Sequence, residues 1–259
     1  MAEDPAGGYD AVFFDRLAPI EDSHFWFRAR NQLIFSTIRR LVEIIPPHAS
    51  ILEVGCGTGN TLRWLKRAYG TGSVLGMDLW LEALRYAKER TDCLLVQGDI
   101  RCPPFARSFH IIGLFDVLEH LQDDREVLAR LRELLVPGGW LVLTVPARPS
   151  LWSYFDEASR HCRRYSTVQL TETLAAAGYE PCFVSEFMAP LLPLVWLWRK
   201  CVAPLLGRRK TVSEAALREF RIIPGVNGFL TWLLSWEAHR IARGRRSPFG
   251  VSLLAVARA

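Results

Sequence analysis

The chain has 259 residues, half of them hydrophobic, and a formal net charge of +5, which suits one large α/β domain with an elaboration. Its six cysteines (Cys56, Cys93, Cys102, Cys162, Cys182, Cys201) show no CxxC spacing, which argues against a zinc site or a disulfide framework and for a reducing compartment. The positive charge is segregated: residues 188–248 hold eleven Lys or Arg against three Glu, a local +8 that leaves −3 for the rest of the chain, whereas a nucleic-acid binder would spread its charge beside its catalytic surface.

The opening "MAEDPAGGYD" is acidic and small, without the basic-then-apolar pattern of a signal peptide, so a cytoplasmic location is expected. "HFWFRARNQLIFSTIRRLVEII" (24–45) reads as one or two amphipathic helices, and residues 1–48 as an N-terminal helical cap. Strands and helices then alternate. "SILEV" (50–54), "GSVLGMD" (72–78), "CLLVQGD" (93–99), "FHIIGLFDV" (109–117) and "WLVLTVP" (140–146) read as strands. Between them lie a helix stopped by Gly70, the helix "LEALRYAKER", and a helix opened by Asp123 with Glu126 as a capping box, followed by a turn at "PGG" (137–139). A helix ending at Gly178 leads to a sixth strand, "YEPCFVSEF", and "GVSLLAVAR" near the end makes a seventh. This order predicts a doubly wound, mostly parallel seven-stranded sheet covered on both faces, formed by 49–187 and 249–259.

The sheet does not need residues 188–248, and a segment that long requires structure of its own. "MAPLLPLVWLW" is too short to span a bilayer and carries Pro190 and Pro193. In "GFLTWLLSWEAHRIARGRR", Phe229, Trp232, Leu233 and Trp236 share a helical face, with arginines following. We expect a basic, apolar helical insertion that serves as an acceptor lid, a homodimer contact or a membrane-surface element. Its removal is expected to spare cofactor binding.

"ILEVGCGTGN" (51–60) is a strand running into a glycine-rich turn and a helix, the ligand crevice of a doubly wound sheet. Its spacing is G-x-G-x-G, with Glu53 before it, not the G-x-G-x-x-G of dinucleotide enzymes. The second strand ends in Asp78, suited to a ribose diol, and the third in Asp99 and Ile100, suited to an adenine amine and ring.

Together with "GMD", "QGDI", "PPFARSFHIIGLFDVLEHL" and "LRELLVPGGWLVLTVPA", this loop resembles, in order and spacing, the class I S-adenosylmethionine-dependent methyltransferases over residues 23–187 and from 249 on. The likeness is greatest to the small-molecule branch that includes the ubiquinone and menaquinone methyltransferases. His110 departs from the aspartate that relatives commonly carry. The resemblance implies S-adenosyl-L-methionine as cofactor, with Glu53, Gly55, Cys56, Gly57 and Asn60 along its methionine end. Asp78 and Leu79 would take the ribose, Asp99 and Ile100 the adenine, and Phe115 to Leu118 the sulfonium. Arg30, with Arg28 second, would bind the methionine carboxylate.

The turn after strand four lacks the D/N-P-P-Y pattern of base-methylating enzymes, so a nucleic-acid base is not expected as substrate. Asp116, Glu119, His120 and the later His161 resemble a cluster that holds a divalent metal in some ubiquinone-pathway and small-RNA ribose methyltransferases. "VLEH" equally resembles the turn of relatives without metal, and no metal is assigned. His120 and His161 are then the candidate general bases. "RHCRRYS" (160–166) would suit an anionic acceptor group. His24 and His48 are expected as surface or packing residues. The expected function is methyl transfer to a small-molecule or lipid-linked acceptor, at oxygen first, with carbon or nitrogen as alternatives. A nicotinamide-dependent oxidoreductase and a non-catalytic membrane-surface protein with a nucleotide-binding fold are the competing readings.

Overall fold

Consecutive residues of β1 (Ser50–Val54) enter different cores: Ile51 packs into one hydrophobic cluster, Leu52 and Val54 into another. The same parity holds on β4 (Phe109–Phe115), where Ile111 and Phe115 face the first cluster and Ile112 and Leu114 the second. Period-two side-chain alternation in strands apolar on both sides is the sequence form of a sheet buried on both faces. The computed structural model describes residues 12–69, 72–106, 109–202 and 220–259. The opening decapeptide, the expected stop at Gly70 and the Arg208–Lys210 run lie outside them.

The sheet has seven strands in the order β3-β2-β1-β4-β5-β7-β6, completed by β2 (Ser73–Asp78), β3 (Leu94–Gln97), β5 (Leu135–Pro146), β6 (Glu180–Phe187) and β7 (Ser252–Arg258). β7 runs antiparallel between β5 and β6, and the other pairings are parallel. The order reverses at β1 and β4, whose carboxyl ends therefore border the crevice where such sheets bind ligands.

Short helix α1 (Val12–Leu17) precedes α2 (Phe25–Val42). The His24 ring accepts the Trp26 N–H at 3.2 Å and so caps α2, a buried structural role. Helices α3 (Leu62–Tyr69) and α4 (Leu81–Arg90) follow the glycine turn and β2. α5 (Asp124–Leu134) and α7 (Thr167–Ala176) cover the second face, and α6 (Tyr154–Ala158) is a short helix after β5. The capping box expected at Asp123 does not form. The Asp123 side chain makes no cap bond and lies 3.8 Å from Arg101 Nε, and Glu126 pairs with Arg130 one helical turn on. The "PGG" turn is instead part of β5, with Gly138 at φ +75° inside the strand.

Between β6 and β7 the chain forms α8 (Leu192–Leu197), a π-turn over Trp198–Val202 and α9 (Val226–Ala242). α9 lays Leu234, Ala238 and Ile241 into the same cluster as Leu33, Ile34 and Ile38 of α2. Asn227 fastens the pair, accepting the Phe25 N–H and donating to Ser23 O, both at 2.9 Å. Glu237 accepts the N–H groups of Met188 and Ala189 at the exit of β6. No helix among the described residues is long and apolar enough to cross a membrane.

Candidate active site

At the carboxyl ends of β1, β2 and β4 opens a cavity of about 1680 Å³, roofed by α1, α2 and the insertion. This exceeds the roughly 300–1,000 Å³ of a single small-ligand pocket and leaves room for two molecules. Of the fourteen residues expected in the site, Arg30, Glu53, Gly55, Cys56, Gly57, Asn60, Asp78, Leu79, Asp99, Ile100, Phe115, His120 and His161 line it. Leu118 does not. It is fully buried in the second core cluster, and its neighbours Asp116, Val117 and Glu119 border the cavity instead, because the chain leaves β4 through Asp116 at φ +56° and then enters a 3-10 turn. Arg28 sits on the exposed side of α2, whereas Arg30 is buried.

The three glycines of the loop do different work. All have positive φ. A Cβ on Gly55 would lie 2.4 Å from Val117, and one on Gly59 would lie 2.9 Å from the Ala87 backbone of α4. Only at Gly57 would a Cβ meet nothing within 4 Å, so only there is the bare backbone turned to open space. Gly57 N–H donates to Asp78 Oδ2 at 2.7 Å and Trp80 N–H to Oδ1 at 2.9 Å, which fixes that carboxylate at the strand tip. Burial raises the Asp78 carboxyl from its ordinary value, with those backbone donors opposing the rise.

Strand parity places Glu53 beneath α2. It is 2% exposed, and its Oε2 has no hydrogen-bond partner. Burial pushes this carboxyl well above the usual range, with the Arg30 guanidinium opposing. Arg30 pairs with Asp116, donates to Thr61 Oγ1 at 3.0 Å and lies 4.8 Å from the Trp26 ring centre. Asn60 is held by Asn31 and by Asp22, to which its Nδ2 donates at 2.7 Å. Asp99 sits half-exposed at the tip of β3, accepting the Arg101 N–H at 2.8 Å.

On the far side of the cavity His161 Nδ1 lies 2.9 Å from Asp156 Oδ1. Asp156 is fully buried on α6 and also accepts Arg164 Nε at 2.7 Å. Burial alone would raise its carboxyl, but the His161 hydrogen bond and the Arg164 charge hold it below its ordinary value. An ionised Asp156 can only accept, so the bond pairs it with an Nδ1–H, and in that tautomer of the neutral ring Nε2 is the acceptor. Glu119, His120 and His161 come together, their ligand atoms all within 4.8 Å, but Asp116 is not with them, its carboxylate being engaged by Arg30. Burial drives the His120 imidazole down to about 3, aided by the neighbouring His161, so it is neutral and a poor base. Within "RHCRRYS", only His161 and Arg164 line the cavity. Arg163 and Tyr165 both bond Asp124 and tie the loop to α5. Sequence reasoning missed Asp156, whose signal was the Ser153–Asp156 capping box, and Arg199 of the insertion, buried 3.9 Å from Asp156 and 4.8 Å from the Phe155 ring centre.

A family profile described as "Methyltransferase domain" matches residues 26–182. A trans-aconitate 2-methyltransferase of Deinococcus radiodurans is 30% identical over 75% of this chain and 72% of its own length. A 2-phytyl-1,4-naphtoquinone methyltransferase of Thermosynechococcus vestitus is 33% identical over 49% of this chain and 60% of its own. A malonyl-[acyl-carrier protein] O-methyltransferase of Herminiimonas arsenicoxydans is 33% identical over 54% and 57%. Among solved structures, the plantazolicin methyltransferase BpumL in complex with SAH aligns with a TM-score of 0.59 at 14% identity, over 99% of this chain and 91% of that one. At that identity the likeness is one of fold.

Proposed function

The chain belongs to the class I S-adenosylmethionine-dependent methyltransferases that act on small molecules, and from that premise we propose that it methylates an oxygen of a small or lipid-linked acceptor, with His161 taking the acceptor's proton. Family membership removes the oxidoreductase and non-catalytic readings. The residues of the crevice fit the cofactor. The orphaned Glu53 Oε2 suits an ammonium, the open backbone at Gly57 admits a close neighbour, and the fixed Asp78 carboxylate has lone pairs left for a ribose diol. Asp99 and Ile100 at the next strand tip suit the adenine, and Arg30 the methionine carboxylate. The cofactor supplies a methyl group on a sulfonium, already activated for transfer.

The chain's own contribution is alignment and a proton acceptor. The observation that carries the proposal is the buried pair formed by Asp156 and the cavity-lining His161, in which the carboxylate can accept an Nδ1–H and so orient the ring as a base through Nε2. His161 Nε2 would accept the acceptor's hydroxyl proton as that oxygen is methylated, and would later pass it to solvent. The names of two relatives support this acceptor class: one is an O-methyltransferase, and another takes a phytyl-bearing quinone.

Incubation of the purified chain with labelled S-adenosylmethionine and candidate acceptor pools, read by mass spectrometry, tests the reaction. His161→Gln should lower turnover about 10²-fold or more while leaving cofactor affinity unchanged. Unchanged turnover in that variant would remove the base.

A further inference from the structure

Helix α9 is apolar on opposite sides. One side is buried against α2, whereas Phe229, Trp232 and Trp236, spaced i, i+3 and i+7, form an exposed stripe at 59%, 66% and 55% of their full accessibility. A helix face of three aromatics in water marks a surface that binds something. Arg240 and Arg243 continue the same stripe one and two turns on, the Arg240 guanidinium lying 4.8 Å from the Trp236 ring centre. The stripe belongs to the segment that carries the local +8, while the rest of the chain is net negative. The same insertion contributes to the cavity: Leu194, Trp198 and Ile223 are exposed and line it, as does Leu230 of α9.

We propose that this face docks on the surface of an anionic phospholipid bilayer, with the aromatic stripe at the acyl boundary and Arg240 and Arg243 among the headgroups, so that the apolar rim of the cavity opens toward the lipid phase. Aromatic residues beside cations on one exposed helix face are the composition that seats a helix in a membrane interface, and the segregated charge matches an anionic surface. A second copy of the chain would bring +8 against +8 at the same face, which disfavours self-association through it.

Vesicle flotation with the full chain tests this. The protein should float with phosphatidylglycerol-containing vesicles and remain behind with pure phosphatidylcholine, and high salt should weaken the association. Phe229→Ser/Trp232→Ser/Trp236→Ser should lower the bound fraction about tenfold or more, as should Arg240→Glu/Arg243→Glu. Both variants change exposed side chains, and unchanged binding of S-adenosylmethionine by calorimetry would show them folded. No flotation with anionic vesicles by protein that still binds the cofactor would overturn the proposal. So would equal binding to both vesicle types, or a dimer in sedimentation equilibrium that the triple variant abolishes. None of these outcomes touches the methyltransferase reading, which cofactor binding reports separately.

Discussion

Glu53 shows how one buried side chain can be costly when free and useful when liganded. Its carboxyl is raised by burial and lacks a partner at Oε2, so in the free protein it keeps its proton to higher pH than an ordinary glutamate, and an ammonium brought beside it favours the ionised form. Binding of S-adenosylmethionine should therefore release up to about one proton and tighten as pH rises. Calorimetry in buffers of different ionisation enthalpy should detect that proton, and Glu53→Gln should abolish the release. His120 works in the opposite direction. Its folded value of about 3 lies below the ordinary 6.5, so the unfolded chain binds the proton first as pH falls. Stability attributable to it is present above 6.5 and is lost toward about 3, at up to roughly 1.4 kcal/mol per pH unit. Urea midpoints measured across that range should fall less steeply in His120→Gln. The glycines separate by the same logic of surroundings. Gly59→Ala meets the α4 backbone at positive φ and should cost roughly 2–4 kcal/mol. Gly57→Ala should cost only about 1 kcal/mol of fold but weaken the cofactor, a contrast that denaturation and calorimetry together can read. The loop was legible as a crevice because its residues are contiguous. Which glycine faces the ligand was not, because that depends on Val117 and Ala87, far off in the chain.

Elements decide how the roof closes. The turn between α1 and α2 is pinned to the glycine loop and to α4: Thr58 donates to Glu21, Arg90 binds Glu21 and the Ala18 carbonyl, and Asn60 binds Asp22. Arg90→Ala leaves the largely buried Glu21 carboxylate with a single partner, at a cost of about 1–3 kcal/mol. Hydrogen exchange should then quicken over residues 12–24, and cofactor affinity should drop. Nothing in the sequence announced this clamp, since its members lie about forty to seventy residues apart. The expected cap at Asp123 failed for a related reason. Arg101, from the loop after β3, stands beside that carboxylate, and a local capping pattern yields to such a competitor.

Across the whole molecule, the insertion and the cap share one core. Because α9 buries Leu234, Ala238 and Ile241 against the side of α2 that also reaches the sheet, removing 188–248 would strip α2 of its cover, and the expectation that cofactor binding survives that deletion is revised. Leu234→Ala alone should cost about 2–5 kcal/mol in urea unfolding. The order of strands and helices, the parity that covers both sheet faces, and the carboxylates at three strand tips were determined by the sequence itself, since each follows from residues within a few positions of one another. The Asp156–His161 pair, the turn of Leu118 away from the cavity, and the aromatic side of α9 left in water were decided only by tertiary structure. A helix apolar all round has no preferred inward side until a neighbour takes one, and the Asp156–His161 hydrogen bond, though it joins residues only five apart, owes its burial and its place beside the cavity to the folded molecule.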